Sequence, residues 1–224
     1  MGDPLLVFEG VRLRSEEGRV LFDGLDWALA RGAKVALRLG AGGDASALFR
    51  LAAGLRHPQE GRVLLDAIPL GPYVFDHPFL HRGALGWVPR EGDLLVNQSL
   101  LANVALPLRF TKGMGRADAE ALASEALAEA GLADVAHQRP HALEPRERWL
   151  GALVRAEVMA PELWLVDQPP GALGPRVQKA ATTILDRAVA SPAAMIVIGA
   201  GSWIPRHAMQ GIGLENGSFL AEGV

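Results

Sequence analysis

Cysteine is absent from the 224 residues, which excludes disulfides and thiolate-bound metals and fits a reducing compartment. No apolar run approaches the roughly 18 residues needed to cross a bilayer, so a membrane role calls for a partner. The opening MGDPLLVFEG lacks the basic and long apolar regions of a secretion signal. Neither sign of charge dominates: 22 Lys and Arg stand against 25 Asp and Glu, a net charge of −3, and no nucleic-acid partner is indicated. The six histidines are scattered without paired metal-ligand spacing and read as surface or internally satisfied groups. What the chain does have is 50% apolar and 21% charged residues, the make-up of one globular unit with room for a subdomain.

Short strands are expected over 5–13 and 19–29, carried by Val7, Val11 and Leu13 and by Val20, Leu25 and Trp27, with Gly18 and Gly24 as punctuation. An apolar strand over 34–39 runs into a glycine-rich stretch, and a helix follows over 48–55 with Gly54 near its end. Another strand is expected over 62–65. Residues 116–131 set Leu122, Ala126 and Ala130 at helical spacing with acids on the other faces. Further on come a helix over 145–159, a strand over 161–167 ending in Asp167, a helix over 177–190, a strand over 194–198, and a hairpin marked by Asn216-Gly217. Strands alternating with helices imply an α/β sheet.

The glycine-rich stretch is Leu37-Arg38-Leu39-Gly40-Ala41-Gly42-Gly43-Asp44-Ala45-Ser46-Ala47. Strand, glycine loop and helix occur in the order of a phosphate-binding P-loop, whose pattern is G-x-x-x-x-G-K-[ST]. Here the first glycine is Leu39, the second is Asp44 and the lysine is Ala45; Ser46 keeps its place, and Gly40, Gly42 and Gly43 keep the loop glycine-rich.

Over nearly its whole length the chain resembles the nucleotide-binding subunit of ABC transporters. GAKVALRLGAGGDASALFRLAAGLRHPQEGRVLLD is similar to that family's strand, Walker A loop, helix and next strand. PELWLVDQPPGALGP resembles the Walker B strand and D-loop, and LENGSFLAEG the closing hairpin. Residues 94–109 resemble the segment after the Q-loop, in wording nearest the branch serving Mla-type phospholipid transporters. The resemblance implies a P-loop α/β fold of ABC ATPase type: one domain over 1–224, a mixed-sheet core over 1–91 and 161–224, and an inserted helical subdomain over 92–160. It further implies ATP and Mg²⁺ as cofactors, a homodimer or a heterodimer with another ABC ATPase subunit, and an integral-membrane permease that holds the chain on the cytoplasmic face of the membrane. The permease contact is expected from 90–108, with Arg90, Leu94 and Leu95, and from Trp149 on the signature helix. Arg146, Arg148 and Arg155 read as a solvated helix face.

Set against the family pattern, several chemical groups are missing. The Walker A lysine falls on Ala45, the Q-loop glutamine on Arg90, the D-loop aspartate on Gly174, and the signature Leu-Ser-Gly-Gly becomes Leu143-Glu144-Pro145-Arg146. Asp167 keeps the Walker B acid, but Gln168 stands at the catalytic-base position and Ala200 at the switch-histidine position. No aromatic lies at 15–18 to stack on adenine.

Each change weakens the same reaction. A helix N-terminus holds phosphate with its free N–H groups and dipole. Asp44, a favoured N-cap residue, can accept those N–H groups itself and repel a triphosphate. Loss of the lysine removes charge-assisted hydrogen bonds worth about 1.5–3 kcal/mol each, so two lost bonds lower affinity on the order of 10²-fold or more. Gln168 can orient water but cannot take its proton, and a positioned base contributes typically ~10²–10⁴-fold. Pro145 offers no N–H, although it suits the first helical position. No tightly bound cofactor is therefore expected; Asp167 and Ser46 would meet Mg²⁺ only if nucleotide bound. The expected role is a transporter subunit with ATP binding and hydrolysis lost or strongly impaired. A weakly ATP-binding subunit of a mixed dimer, or a soluble regulatory or adaptor protein that retains the fold, are the alternatives.

Overall fold

The alternation of apolar residues along the first two strands pairs them into a long hairpin. A computed structural model describes residues 4–39, 44–71, 76–169, 171–199, 210–215 and 218–221. Strand β1 (Pro4–Arg14) pairs antiparallel with β2 (Val20–Ala30) on one side and with β4 (Glu60–Leu65) on the other. With β5 (Ile68–Pro69) these make a four-stranded sheet in the order β2-β1-β4-β5.

The second sheet holds the phosphate-loop strand. Its order is β10-β9-β3-β8-β7-β6, with β3 (Lys34–Leu39), β6 (Leu85–Val88), β7 (Leu163–Val166), β8 (Ala194–Ile198), β9 (Gln210–Glu215) and β10 (Ser218–Ala221). All neighbouring pairs are parallel except β10 against β9. The Asn216-Gly217 turn that was expected to join β9 and β10 lies outside the described residues.

Strands β7 and β8 are apolar throughout because both faces are covered, as a parallel sheet requires. Leu163, Leu165, Ile196 and Ile198 face a core shared with the first sheet and with α1 (Ala45–Ala52). Trp164, Val166, Met195 and Val197 face a core shared with α3 (Leu100–Phe110), α4 (Arg116–Glu129), α5 (Pro145–Glu157) and α6 (Gly174–Ala190). The short α2 (Pro78–His81) precedes β6.

Helix α4 turns a different face inward from the one that Leu122 marks. Ala119, Ala123 and Leu127 are buried, with Ala130 just beyond the helix, while Leu122 is 39% exposed. A stripe of alanines lets α4 pack close to its neighbours, and the large leucine lies one residue out of that stripe.

Backbone accommodation is tightest at Gly92, where φ is +83° and an added Cβ would lie 2.7 Å from the carbonyl oxygen of Arg148. Only glycine lets the 90–93 turn press against the first turns of α5.

Candidate nucleotide site and partner groove

Helix α1 starts beside the C-terminal ends of β3 and β7, where a parallel sheet places ligands. Asp44 is its N-cap, with extended backbone (φ −118°, ψ 96°), and its Oδ1 accepts the N–H of Ala47 at 2.9 Å. The carbonyl of Asp44 accepts the N–H of Leu48 at 3.1 Å, so the helix begins on this residue. Capping by Asp44 is thus as the sequence suggests. Arg19, just before β2, approaches within 4.0 Å of the other carboxylate oxygen. Arg19 escaped the sequence reading; its one signal is its place directly after the 15–18 stretch where an aromatic was sought. Ser46 is exposed on α1. Gly40, Gly42 and Gly43 of the loop, and Ala200, lie outside the described residues.

Asp167 follows β7 and is only 7% exposed. Its N–H donates to Val88 O at 2.8 Å, and its carbonyl accepts the indole N–H of Trp149 at 2.9 Å. Its Oδ1 accepts the N–H of Gln168 at 2.8 Å. Burial is the main cause that pushes the Asp167 carboxyl up to about 6, and Asp44 adds to the rise, while the Gln168 N–H and Arg90 oppose it. Two carboxylates therefore share one electrostatic neighbourhood where a phosphate loop carries positive potential. Gln168 is half-buried beside them, and Arg90 is exposed, 3.9 Å from Glu91.

Helix α5, which opens at the signature position, also supplies its own cap. The Glu147 carboxylate accepts the N–H of Glu144 at 2.9 Å, and Pro145 occupies the first turn without a donor. Arg146 pairs with Glu144, and Arg148 donates to Leu143 O at 2.8 Å.

Three sequence expectations need correction here. Trp149 is wholly buried, its indole joining α5 to Asp167, so it cannot present a partner surface. Leu94 is a core residue and presents no surface, whereas its neighbours Leu95 and Val96 are exposed. Arg148 and Arg155 are not a solvated face: Arg155 donates to Asp93 O at 3.1 Å and Gly92 O at 3.3 Å, and burial lowers its guanidinium from the usual range, with Asp93 opposing.

The 94–99 loop is held by buried Asn103. Its Oδ1 accepts Leu95 N–H at 2.7 Å and its Nδ2 donates to Leu95 O at 3.1 Å and Ser99 O at 2.9 Å. This clamp leaves Leu95 and Val96 outside, and Leu95 lines a groove of about 850 Å³ together with Leu55, Leu80, Trp87, Leu106 and Phe110. Phe110 is 74% exposed and Val96 76%, an unusual display for large apolar side chains. Among the described residues no helix is long and apolar enough to cross a membrane, and no group of three or more His, Cys, Asp or Glu could hold a metal ion.

Known proteins align with this arrangement. The ABC transporter family matches residues 22–171, more than half of the chain. The lipoprotein-releasing system ATP-binding protein LolD of Anaplasma marginale is 34% identical over 162 residues, covering 72% of each chain. The macrolide export ATP-binding/permease protein MacB of Burkholderia cenocepacia is 28% identical over 99% of this chain but 33% of its own length, so this chain spans about a third of that relative. Among solved structures, the ATP-binding cassette MJ0796, a dimer in a post-hydrolysis state bound to ADP and Pi, superposes with a TM-score of 0.84 at 22% identity over 98% of this chain and 100% of that one. CbiO1 from Clostridium perfringens, part of the transporter complex CbiONQ, gives 0.72 at 20% identity over 99% and 88%. A P-loop cassette fold with a strand-loop-helix at its phosphate position, matched in sequence and in shape, places this chain in the ABC transporter family.

Proposed function

We propose that this chain is the cassette subunit of an ABC transporter, docked on a transmembrane permease at the cytoplasmic face of the membrane, with no working ATPase site of its own. The observation that carries the reading is Asp44. Its carboxylate takes an N–H at the start of α1, one of those a phosphate would need, and places negative charge where the triphosphate would lie. Asp167 is buried nearby with its carboxyl already driven toward the neutral form.

The family implies ATP with Mg²⁺, and the residues present do not fit them. An anion would meet the Asp44 carboxylate in place of a lysine. A Mg²⁺ ion without bound phosphates would have little beyond Asp167 and the exposed Ser46 to hold it. In a dimer the facing subunit would receive Glu144 and Pro145, a carboxylate and a residue without a donor, opposite its own phosphate loop. A dimer with an intact ABC ATPase is therefore no better equipped at that shared site.

Docking is the function left to the fold. The groove beside Leu95 and Phe110, braced by Asn103, Arg155 and Gly92, is the surface assigned to the permease. The wording of 94–109 supports a permease of the phospholipid-transporter kind. Affinity purification from detergent-solubilised membranes, with partners identified by mass spectrometry, tests this part. A permease should co-purify with the wild-type chain and not with Leu95→Asp. Recovery of the chain without any integral-membrane protein would favour a soluble adaptor and refute the docking role.

A further inference from the structure

Helix α3 ends in an apolar display that the groove does not account for. Phe110, its last residue, and Val96 are both largely exposed, and Val96 does not line the groove. Leu95, Asn103 and Phe110 line the groove together, so Phe110 lies beside the loop that carries Val96. Large apolar side chains clustered on a surface mark an interaction site.

The charge around this tip has one sign. Between Asp93 and Asp118 the sequence holds no Asp or Glu, and its only charges are Arg109, Lys112 and Arg116, in a chain whose net charge is −3. Glu120 takes up Arg116 at 2.8 Å. Arg109 and Lys112 have no acidic partner among the described residues, and the Arg109 guanidinium lies 5.3 Å from the centre of the Phe110 ring. Met114 anchors the turn behind them: its N–H donates to Leu108 O at 3.0 Å, and its side chain packs against the core. Thr111, Lys112 and Gly113 are exposed, and an added Cβ at Gly113 would meet only open space.

Apolar side chains at a tip, unpaired cations beside them and no acid among them match a lipid surface, where rings enter the headgroup layer and cations meet phosphate. We propose that Val96, Arg109, Phe110 and Lys112 rest on the anionic phospholipid surface of a membrane. Val96 and Phe110 enter the headgroup layer, and Arg109 and Lys112 pair with lipid phosphates. This contact is additional to the permease groove and does not rest on it.

The test is co-sedimentation of the purified chain, without permease, with sucrose-loaded vesicles. The vesicles are phosphatidylcholine alone or mixed with phosphatidylglycerol, in low and in high salt. The wild type should bind the mixed vesicles at least about tenfold more tightly, and high salt should remove that preference. Lys112→Ala should weaken binding about fivefold, the worth of one cation near the surface. Val96→Ser with Phe110→Ser should weaken it at least about tenfold. All three side chains are exposed, so these variants should unfold in urea like the wild type. Leu55→Ser, in the groove, should bind vesicles like the wild type. The proposal is overturned if the chain does not sediment with the mixed vesicles in low salt, or if it binds phosphatidylcholine as tightly. It is equally overturned if the tip variants bind like the wild type, or if Leu55→Ser weakens binding as much as they do.

Discussion

Replacing Asp167 with asparagine should stabilise this protein at neutral pH, the reverse of what removing a needed charge would do. Burial, with a smaller contribution from Asp44, raises the carboxyl from 3.8 to about 6. The folded state therefore holds the Asp167 proton more tightly than the unfolded chain does. Between about pH 4 and pH 6 the native state binds more protons, so stability falls as pH rises through that window and is flat above it. The full loss is about 3 kcal/mol at roughly 1.36 kcal/mol per pK unit. Asparagine is nearly isosteric, can still accept the Gln168 N–H, and carries no charge to desolvate. Above pH 7 the variant should recover most of that loss, raising Tm by roughly 6–12 °C at about 2–4 °C per kcal/mol for a chain of this size. Near pH 4 the two proteins should melt together. Thermal unfolding followed by circular dichroism from pH 4 to 8 measures the difference. If Asp167→Asn lowers Tm at pH 8, the carboxylate is a stabilising charge and the reasoning about this site fails.

Four other perturbations separate capping, bracing and docking. Asp44→Ala should cost about 1 kcal/mol, the typical worth of an N-cap side chain, seen as a lower urea midpoint. The double change Asp44→Gly with Ala45→Lys should gain nucleotide affinity by on the order of 10²-fold over wild type in a fluorescent-ATP titration, because it removes the carboxylate and supplies the cation. Asn103→Leu strands the Leu95 N–H and carbonyl, and should destabilise by about 1–3 kcal/mol per buried group left unpaired while also weakening permease co-purification. Phe110→Asp should leave the unfolding free energy within about 0.5 kcal/mol of wild type in a urea titration, since the ring is exposed, and abolish co-purification.

The order of strands and helices was readable because each carries a local signal: an apolar run in β7 and β8, a glycine after α1, a proline opening α5. Asp44 was readable as a cap for the same reason, since its residue type and its position before an apolar helix are both local. The misreadings involve packing between distant segments. Trp149, Arg155 and Leu94 look like surface residues on their own elements, and only the approach of the 90–95 turn and β7 to α5 buries Trp149 and Leu94 and half-buries Arg155. The spacing of Leu122, Ala126 and Ala130 marks a helix but not its inner face, which in α4 is formed by Ala119, Ala123 and Leu127. Asn103 carries no motif; its role follows from three backbone partners that meet only when the 95–99 loop folds over α3.

The claim on which the rest depends is that Asp44 has closed the phosphate site. Isothermal titration of the wild-type chain with Mg-ATP tests it most directly. The account predicts no saturable heat up to roughly 1 mM nucleotide, the range of binding worth about 4 kcal/mol. A dissociation constant in the low micromolar range, about 8 kcal/mol, would contradict it.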